Sequence, residues 1–252
     1  MNKLLKLLAS NRRQAQPRAL AVEGDETTIY LYDIIVSDDL TADWGGGVSA
    51  QTLVSQIRGI KGGTIHLRIN SPGGEVPAAQ AIVAAIRDTG AKVIAHVEGL
   101  AASAATLVAI AADEVEISEG SLFMIHCAQT IAYGNASDFL ETVALLEKAD
   151  GIISDQYAAK TGQPAEAMRA LMDAETWFTA QEAVDAGFVD RITPNVKAAT
   201  RWDLSAYAKA PQQAPEPEPR AAQKPEQTKT ITNDHRERQQ QRLRMLNRLT
   251  HQ

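Results

Sequence analysis

Twice between residues 64 and 112, an apolar run rich in β-branched residues ends in glycine and small residues, and an apolar helical run follows at once. Thr64-Ile65-His66-Leu67-Arg68-Ile69-Asn70 leads into Ser71-Pro72-Gly73-Gly74 and then a helix from Ala78 to Arg87, stopped by Thr89-Gly90. Lys92 to Val97 leads into a turn at Gly99, the small residues Ala101-Ala102-Ser103, and a helical run from Ala104 to Ala112. Strand and helix alternating at this spacing form βαβ units with parallel strands, which places the chain in the α/β class.

The flanking sequence extends the pattern. Thr27 to Ile35 is β-branched and aromatic and reads as a strand. Gly45-Gly46-Gly47 reads as a loop, and Ser49 as the N-cap of a helix carrying Leu53, Val54 and Ile57. Downstream, Glu114 to Ile117 and Leu122 to Ile125 are short strands, the second ending at His126. A long helix is expected from Ala136 to Lys160, with Phe139, Val143, Leu146, Ile153 and Tyr157 at helical spacing, ended by Thr161-Gly162. A shorter helix carries Ala167, Leu171 and Met172. Thr179 caps another, which Gly187 closes before a last strand from Phe188 to Ile192.

Composition separates a folded body from its ends. Residues 1–19 are basic and read as a flexible arm or short docking helix, and residues 20–195 as the folded domain. Residues 196–232 have the Pro-, Gln- and Glu-rich composition of a linker. Residues 233–252 read as a basic amphipathic helix with Leu243, Leu246 and Leu249 in a narrow stripe. The first apolar run is short, is broken by Lys6 and is followed by Arg12 and Arg13, unlike a signal peptide. No stretch approaches the roughly 20 apolar residues of a membrane span. The formal net charge of −6 argues against nucleic-acid binding by the core. The single cysteine, Cys127, excludes an intramolecular disulfide and a thiolate metal cluster. These features lead to the expectation of a cytoplasmic protein without a metal or cofactor.

Three stretches offer chemistry, and each has a plain structural alternative. Ser103 stands where a strand meets a helix, so free N–H groups and the helix dipole favour a developing anion; it could equally be a simple N-cap. Ser71-Pro72-Gly73-Gly74 is either a tight turn or a place where backbone approaches a ligand and aims an N–H at an oxyanion. His126 is either a structural residue at a strand end or a base for a serine elsewhere. Asp173 and Glu175, read alone, belong to a solvated helix end.

Together these stretches resemble the ClpP family of serine peptidases over roughly Thr27 to Ile192. Ile69-Asn70-Ser71-Pro72-Gly73-Gly74 is similar to the family's I-N-S-P-G-G. The segment around Ser103 is similar to its G-x-A-A-S-M-G, and Met124-Ile125-His126 to its M-I-H. Thr179 to Asp190 resembles its S-A-x-E-A-x-x-x-G-L-V-D. The resemblance implies a ClpP/crotonase-like spiral of βαβ units, followed here by the flexible Pro-rich C-terminal tail. It implies Ser103 as nucleophile, His126 as base, and the backbone N–H groups of Gly74 and Ala104 as oxyanion hole. The family's third member is an aspartate; by spacing, that position here is Glu175, with Asp173 as the alternative.

The finer expectation is a head-maturation protease of the phage and prophage type. Trp44-Gly45-Gly46-Gly47, Gly134-Asn135-Ala136 and Glu175 to Ala180 resemble that subgroup. Residues 1–26 do not resemble the axial-gate region of the unfoldase-dependent enzymes. The implied partners are a protein substrate, in particular a capsid or scaffold protein, and further copies of the chain in a homo-oligomeric ring. The implied location is the host cytoplasm or the prohead. The alternatives are a housekeeping peptidase working with an AAA+ unfoldase, a crotonase-like acyl-CoA enzyme, a Ser–Lys dyad peptidase, and a catalytically dead assembly scaffold.

Overall fold

The computed structural model describes residues 3–11, 21–194 and 202–211. The expected tail helix at 233–252 and most of the expected linker lie outside the described residues. A helix, α1 (Lys3–Ser10), precedes a hairpin of β1 (Ala21–Glu23) and β2 (Glu26–Leu31). Then come β3 (Ile35–Val36), α2 (Asp39–Gly45), β4 (Val48–Ser49), α3 (Ala50–Gly59), β5 (Thr64–Ser71), α4 (Val76–Asp88), β6 (Lys92–Ala102) and α5 (Ala104–Ile110). The remainder is β7 (Glu114–Ser118), β8 (Leu122–Ile125), α6 (Ala136–Thr161), α7 (Ala165–Asp173), β9 (Thr176–Thr179), α8 (Ala180–Asp185) and β10 (Arg191–Thr193).

The main sheet runs β1-β2-β5-β6-β7-β10, with β8 also on β6 and β9 on β8. Its β2, β5, β6, β7, β8 and β10 pairings are parallel, as the strand–helix alternation requires; β1 on β2 and β9 on β8 are antiparallel. Leu67, Ile69, Ala95 and Val97 point from the central strands into a core closed by Leu53 and Ile57 of α3, Ile82 of α4 and Val108 of α5. Ser49 caps α3 as expected, accepting from Thr52 N at 3.2 Å. Asn135 and Asp138 form a capping box that starts α6, and Gly162 ends it in the left-handed conformation. Only the C-terminal half of α6 packs down, through Ile153 and Tyr157, while Phe139, Leu140 and Val143 are exposed.

Several boundaries differ from the sequence reading, for physical reasons. The strand expected over Thr27–Ile35 breaks after Leu31, where the Asp33 carboxylate caps Ile34 N at 2.8 Å and turns the chain into β3. Helix α2, capped by Asp38, occupies a stretch to which the sequence reading assigned no element and takes in Gly45, the first residue of the expected loop. The last strand starts at Arg191 rather than Phe188, because Phe188 turns into the core against Phe123 and Phe178. The compact unit takes in residues 202–211, past residue 195 where the composition becomes linker-like.

The largest difference is at Gly99. No turn forms there: β6 continues through it to Ala102, with Gly99 at φ +115°. The first half of β6 pairs with β7 (Val97 opposite Ile117) and the second half with β8 (Leu100 opposite Leu122). Ser121, between β7 and β8, bridges the change of partner by accepting from Gly99 N at 2.7 Å and donating to Val97 O at 3.3 Å. One strand therefore serves two neighbours in succession, and its far end carries Ser103.

The sheet face opposite α3, α4 and α5 carries a polar ladder. His66 Nδ1 lies 2.9 Å from His96 Nε2, and His96 Nδ1 lies 2.9 Å from the Glu116 carboxylate. Arg68 pairs with Glu98, which also accepts from Tyr32, and Arg191 pairs with Glu114 and Glu116. Burial holds the His96 imidazole below its ordinary range, with Glu116 opposing and Arg68 and His66 reinforcing the shift. A neutral ring suits the bonds: Nδ1–H donates to Glu116 and Nε2 accepts from His66. As pH falls below the unfolded value of roughly 6.5, the unfolded chain takes up this proton first, so stability drops. The melting temperature is expected to fall between pH 7.5 and 5.5, and to fall less in His96→Gln. Parallel pH profiles for the two proteins would show that His96 is not the titrating group.

Candidate active site

Three strand ends meet here. Ala102 of β6 is paired with Met124 of β8, so Ser103 and His126 follow the last pairs of two adjacent parallel strands. Ser103 N donates to Met124 O at 2.8 Å, pinning the turn onto β8. The Ser103 Oγ is 2.7 Å from His126 Nε2. Ser103 makes no side-chain cap bond to its helix, so the N-cap alternative is set aside. Its backbone is at φ +54°, a conformation uncommon for a residue with a Cβ, and this turn aims the hydroxyl toward the histidine. The main chain is held from below: Thr106 Oγ1 donates to Ser103 O at 2.6 Å and lies 2.6 Å from the hydroxyl of buried Tyr157.

The Pro-Gly-Gly turn packs directly on this elbow. A Cβ at Gly73 would stand 2.6 Å from Ala102 O and 2.8 Å from Ser103 Cβ, so only glycine allows the approach. Gly74 lies against Ile35, where Ile35 N donates to Gly73 O at 2.8 Å and Glu75 N to Ile35 O at 3.0 Å. A Cβ at Gly74 would meet Ile35 O at 2.1 Å. The turn and Ala104, the first residue of α5, thus lie side by side next to the serine.

The two candidate acids have different surroundings. Strand β9, unexpected from the sequence, pairs antiparallel with β8, with Thr176 opposite Ile125. His126 and Glu175 are the residues that adjoin this last pair. Glu175 is at φ +49°, and among the described residues it and Ser103 are the two non-glycine positions with positive φ. Its carboxylate accepts from Ala208 N at 3.2 Å and Lys209 N at 2.6 Å. Asp173, at the end of α7, accepts from the Cys127 thiol at 3.0 Å and Arg169 Nε at 3.1 Å, which hold its carboxyl below the usual range. The Cys127 thiol is pushed up to about 12, first by burial and then by its bond to Asp173, so it stays protonated and does not compete as a nucleophile. Gln129 Nε2 lies 3.5 Å from His126 Nδ1.

Residues 202–211 belong to the surroundings of this site, although the sequence reading assigned them to a linker. The Tyr207 ring stands edge-on to His126, with centroids 5.4 Å apart, and to Trp177 at 5.8 Å. Its hydroxyl donates to Pro72 O and is within hydrogen-bonding reach of Ser103. Burial raises the pKa of this phenol; the Ser103 bond opposes that shift and the Glu175 charge adds to it. The available signal was the alternation in Trp202-Asp203-Leu204-Ser205-Ala206, where Trp202, Leu204 and Ala206 are buried and Asp203 and Ser205 exposed. No helix among the described residues is long and apolar enough to cross a membrane.

Comparison with known proteins agrees with this geometry. Residues 27–196 match the family model for Clp protease. The chain is 31% identical over 166 residues to an "ATP-dependent Clp protease proteolytic subunit" of Ligilactobacillus salivarius, covering 65% of this chain and 84% of that one. It is 33% identical over 159 residues to "proteolytic subunit 2" of Pseudomonas aeruginosa, covering 58% and 77%. It is 32% identical over 130 residues to "proteolytic subunit 1" of Leifsonia xyli, covering 51% and 66%.

Proposed function

The chain belongs to the Clp protease family, and from that premise we propose that it is a serine endopeptidase with Ser103 as nucleophile, His126 as general base and Glu175 as orienting acid. The observation that carries this reading is the 2.7 Å approach of Ser103 Oγ to His126 Nε2. Ser103 Oγ attacks the scissile carbonyl carbon while Nε2 takes its proton. The Gly74 and Ala104 N–H groups stabilise the oxyanion, and the leaving amine receives the proton back from His126. Water then hydrolyses the acyl-enzyme by the same relay. Glu175 is favoured over Asp173 by the β8–β9 register, by its strained backbone next to the site, and by the thiol and guanidinium that already engage Asp173.

For the biological role, the proposal is processing of capsid or scaffold proteins by a homo-oligomer in the host cytoplasm or prohead. It is supported by the subgroup-like segments at Trp44, Gly134 and Glu175, and assembly by the uncovered apolar residues of α6. A second reading, a proteolytic subunit driven by an ATP-dependent partner, is favoured by the names of the relatives. A fluorophosphonate probe tests the chemistry: it is expected to label full-length protein at Ser103, and His126→Ala is expected to lose the labelling. A folded protein that takes no label would remove the peptidase reading. Cleavage of a folded scaffold protein by the chain alone would favour the first role, and cleavage only with an ATPase the second.

A further inference from the structure

Residues 202–211 are held across the cleft from both sides. On the side of the Pro-Gly-Gly turn, Trp202 Nε1 donates to Asn70 Oδ1 at 2.8 Å and the Tyr207 hydroxyl to Pro72 O. On the side of β9, the backbone N–H groups of Ala208 and Lys209 donate to Glu175, and Lys209 Nζ to Ala174 O. Tyr207 lies between them against His126. Trp202, Leu204, Ala206 and Tyr207 are buried with Leu100, Ala102 and Met124, the strand residues next to the catalytic pair.

The N-terminal segment fastens this arrangement. Asn11 makes a reciprocal pair with Asp203: Asn11 Nδ2 donates to Asp203 O at 3.0 Å, and Asp203 N donates to Asn11 Oδ1 at 2.7 Å. Lys6 donates to Ser205 O, and Leu7 is buried in the same cluster as Trp202. The fit has a flaw where it meets β9. The Trp177 indole N–H is, among the described residues, a buried side-chain donor without a hydrogen-bond partner, and Trp177 packs against this cluster. A buried polar group left unsatisfied favours any rearrangement that gives it water or a new acceptor. The segment therefore covers the strand ends beside the catalytic pair, while Ser103 and His126 stay partly exposed.

We propose that residues 202–211 are an intramolecular strap, clamped by Asn11, that keeps extended polypeptides out of the cleft, so that the protein is latent until the strap is released. This rests on the peptidase reading above. Release frees the Glu175 carboxylate from Ala208 and Lys209, removes the Tyr207 ring from His126 and uncovers the Trp177 N–H. Opening the strap thus makes room for an extended substrate beside the catalytic pair. Because α1 and Asn11 hold the strap, a partner that binds the N-terminal segment would control it.

The test compares full-length wild type with Asn11→Ala and Tyr207→Ala. Three quantities are measured: amide exchange over residues 202–211, labelling of Ser103 by a small fluorophosphonate, and hydrolysis of a ten-residue peptide. In both variants, exchange is expected to accelerate and peptide hydrolysis to rise at least fivefold, while small-probe labelling changes less than twofold in Asn11→Ala, whose side chain touches neither Ser103 nor His126. Asn11 is remote from the chemistry and keeps the test decisive if Tyr207→Ala fails to fold. Faster exchange with unchanged or lower peptide hydrolysis, in a protein that still labels, would overturn the strap and make residues 202–211 part of the working site. Absence of labelling in every form would instead remove the peptidase reading, and the strap's proposed role with it.

Discussion

Ser103→Ala is expected to lower peptide hydrolysis by about 10⁴-fold or more, leaving the rate supplied by binding and the oxyanion hole alone. The loss is large because no other oxygen or thiolate takes over: Cys127, next to the base in sequence, has its thiol proton held by burial and by Asp173. The fold should survive. Alanine keeps the Cβ that the φ +54° turn already tolerates, and the backbone bonds Ser103 N to Met124 O and Thr106 N to Ser103 O remain. The side-chain hydrogen bonds to His126 and Tyr207 are lost, a stability change of about 1 kcal/mol each. Steady-state hydrolysis and a thermal melt on the same preparation check both halves. Unchanged cleavage by a folded Ser103→Ala protein would move the nucleophile elsewhere.

Glu175→Gln is expected to lower hydrolysis by roughly 10³–10⁴-fold, as for loss of the acid's charge in a serine triad, while Asp173→Asn stays within about threefold. A neutral amide neither stabilises the imidazolium nor holds His126 with Nδ1 protonated. The glutamine oxygen can still accept from Lys209 N, so the strap is only partly loosened and the chemical loss dominates. Asp173→Asn breaks an ion pair between an exposed aspartate and a half-exposed arginine on the same helix, a contact of small energetic worth. Kinetics of the two variants side by side give the ranking. The reverse order would make Asp173 the orienting acid, with the β8–β9 register no guide to function.

In the proposed triad a glutamate takes the place of the family's aspartate. With one more methylene in the side chain, the main chain must stand differently, and Glu175 stands in the left-handed region. Such conformations persist only where surrounding structure holds them. Here Glu175 N donates to Met172 O at 3.0 Å, and the Thr176 hydroxyl donates to Leu171 O at 2.7 Å, tying the start of β9 to the end of α7.

Local chemistry in the sequence determined the parallel α/β class and helices α3 to α8, while the pairing of Ser103 with His126 was implied by the resemblance to the ClpP family. The class and the helices rest on interactions a few residues long: alternation in Thr64–Ser71, the side-chain caps at Ser49 and Asn135, the left-handed stop at Gly162. What the tertiary structure alone decided depends on partners far away in the chain. Gly99 reads locally as a turn, but two successive neighbours, β7 and β8, draw β6 straight through it. Trp177 and Phe178 become a strand only because β8 offers an unpaired edge, and that pairing ends at Ile125 and Thr176, the residues next to His126 and Glu175. Trp202 to Tyr207 stands among linker-like sequence, and its apolar alternation gains meaning only from the surface it covers, built from Asn11, Asn70, Leu100 and Met124. Periodicity and caps encode what a segment is; which surface it meets is settled by the burial and hydrogen bonds that remote segments supply.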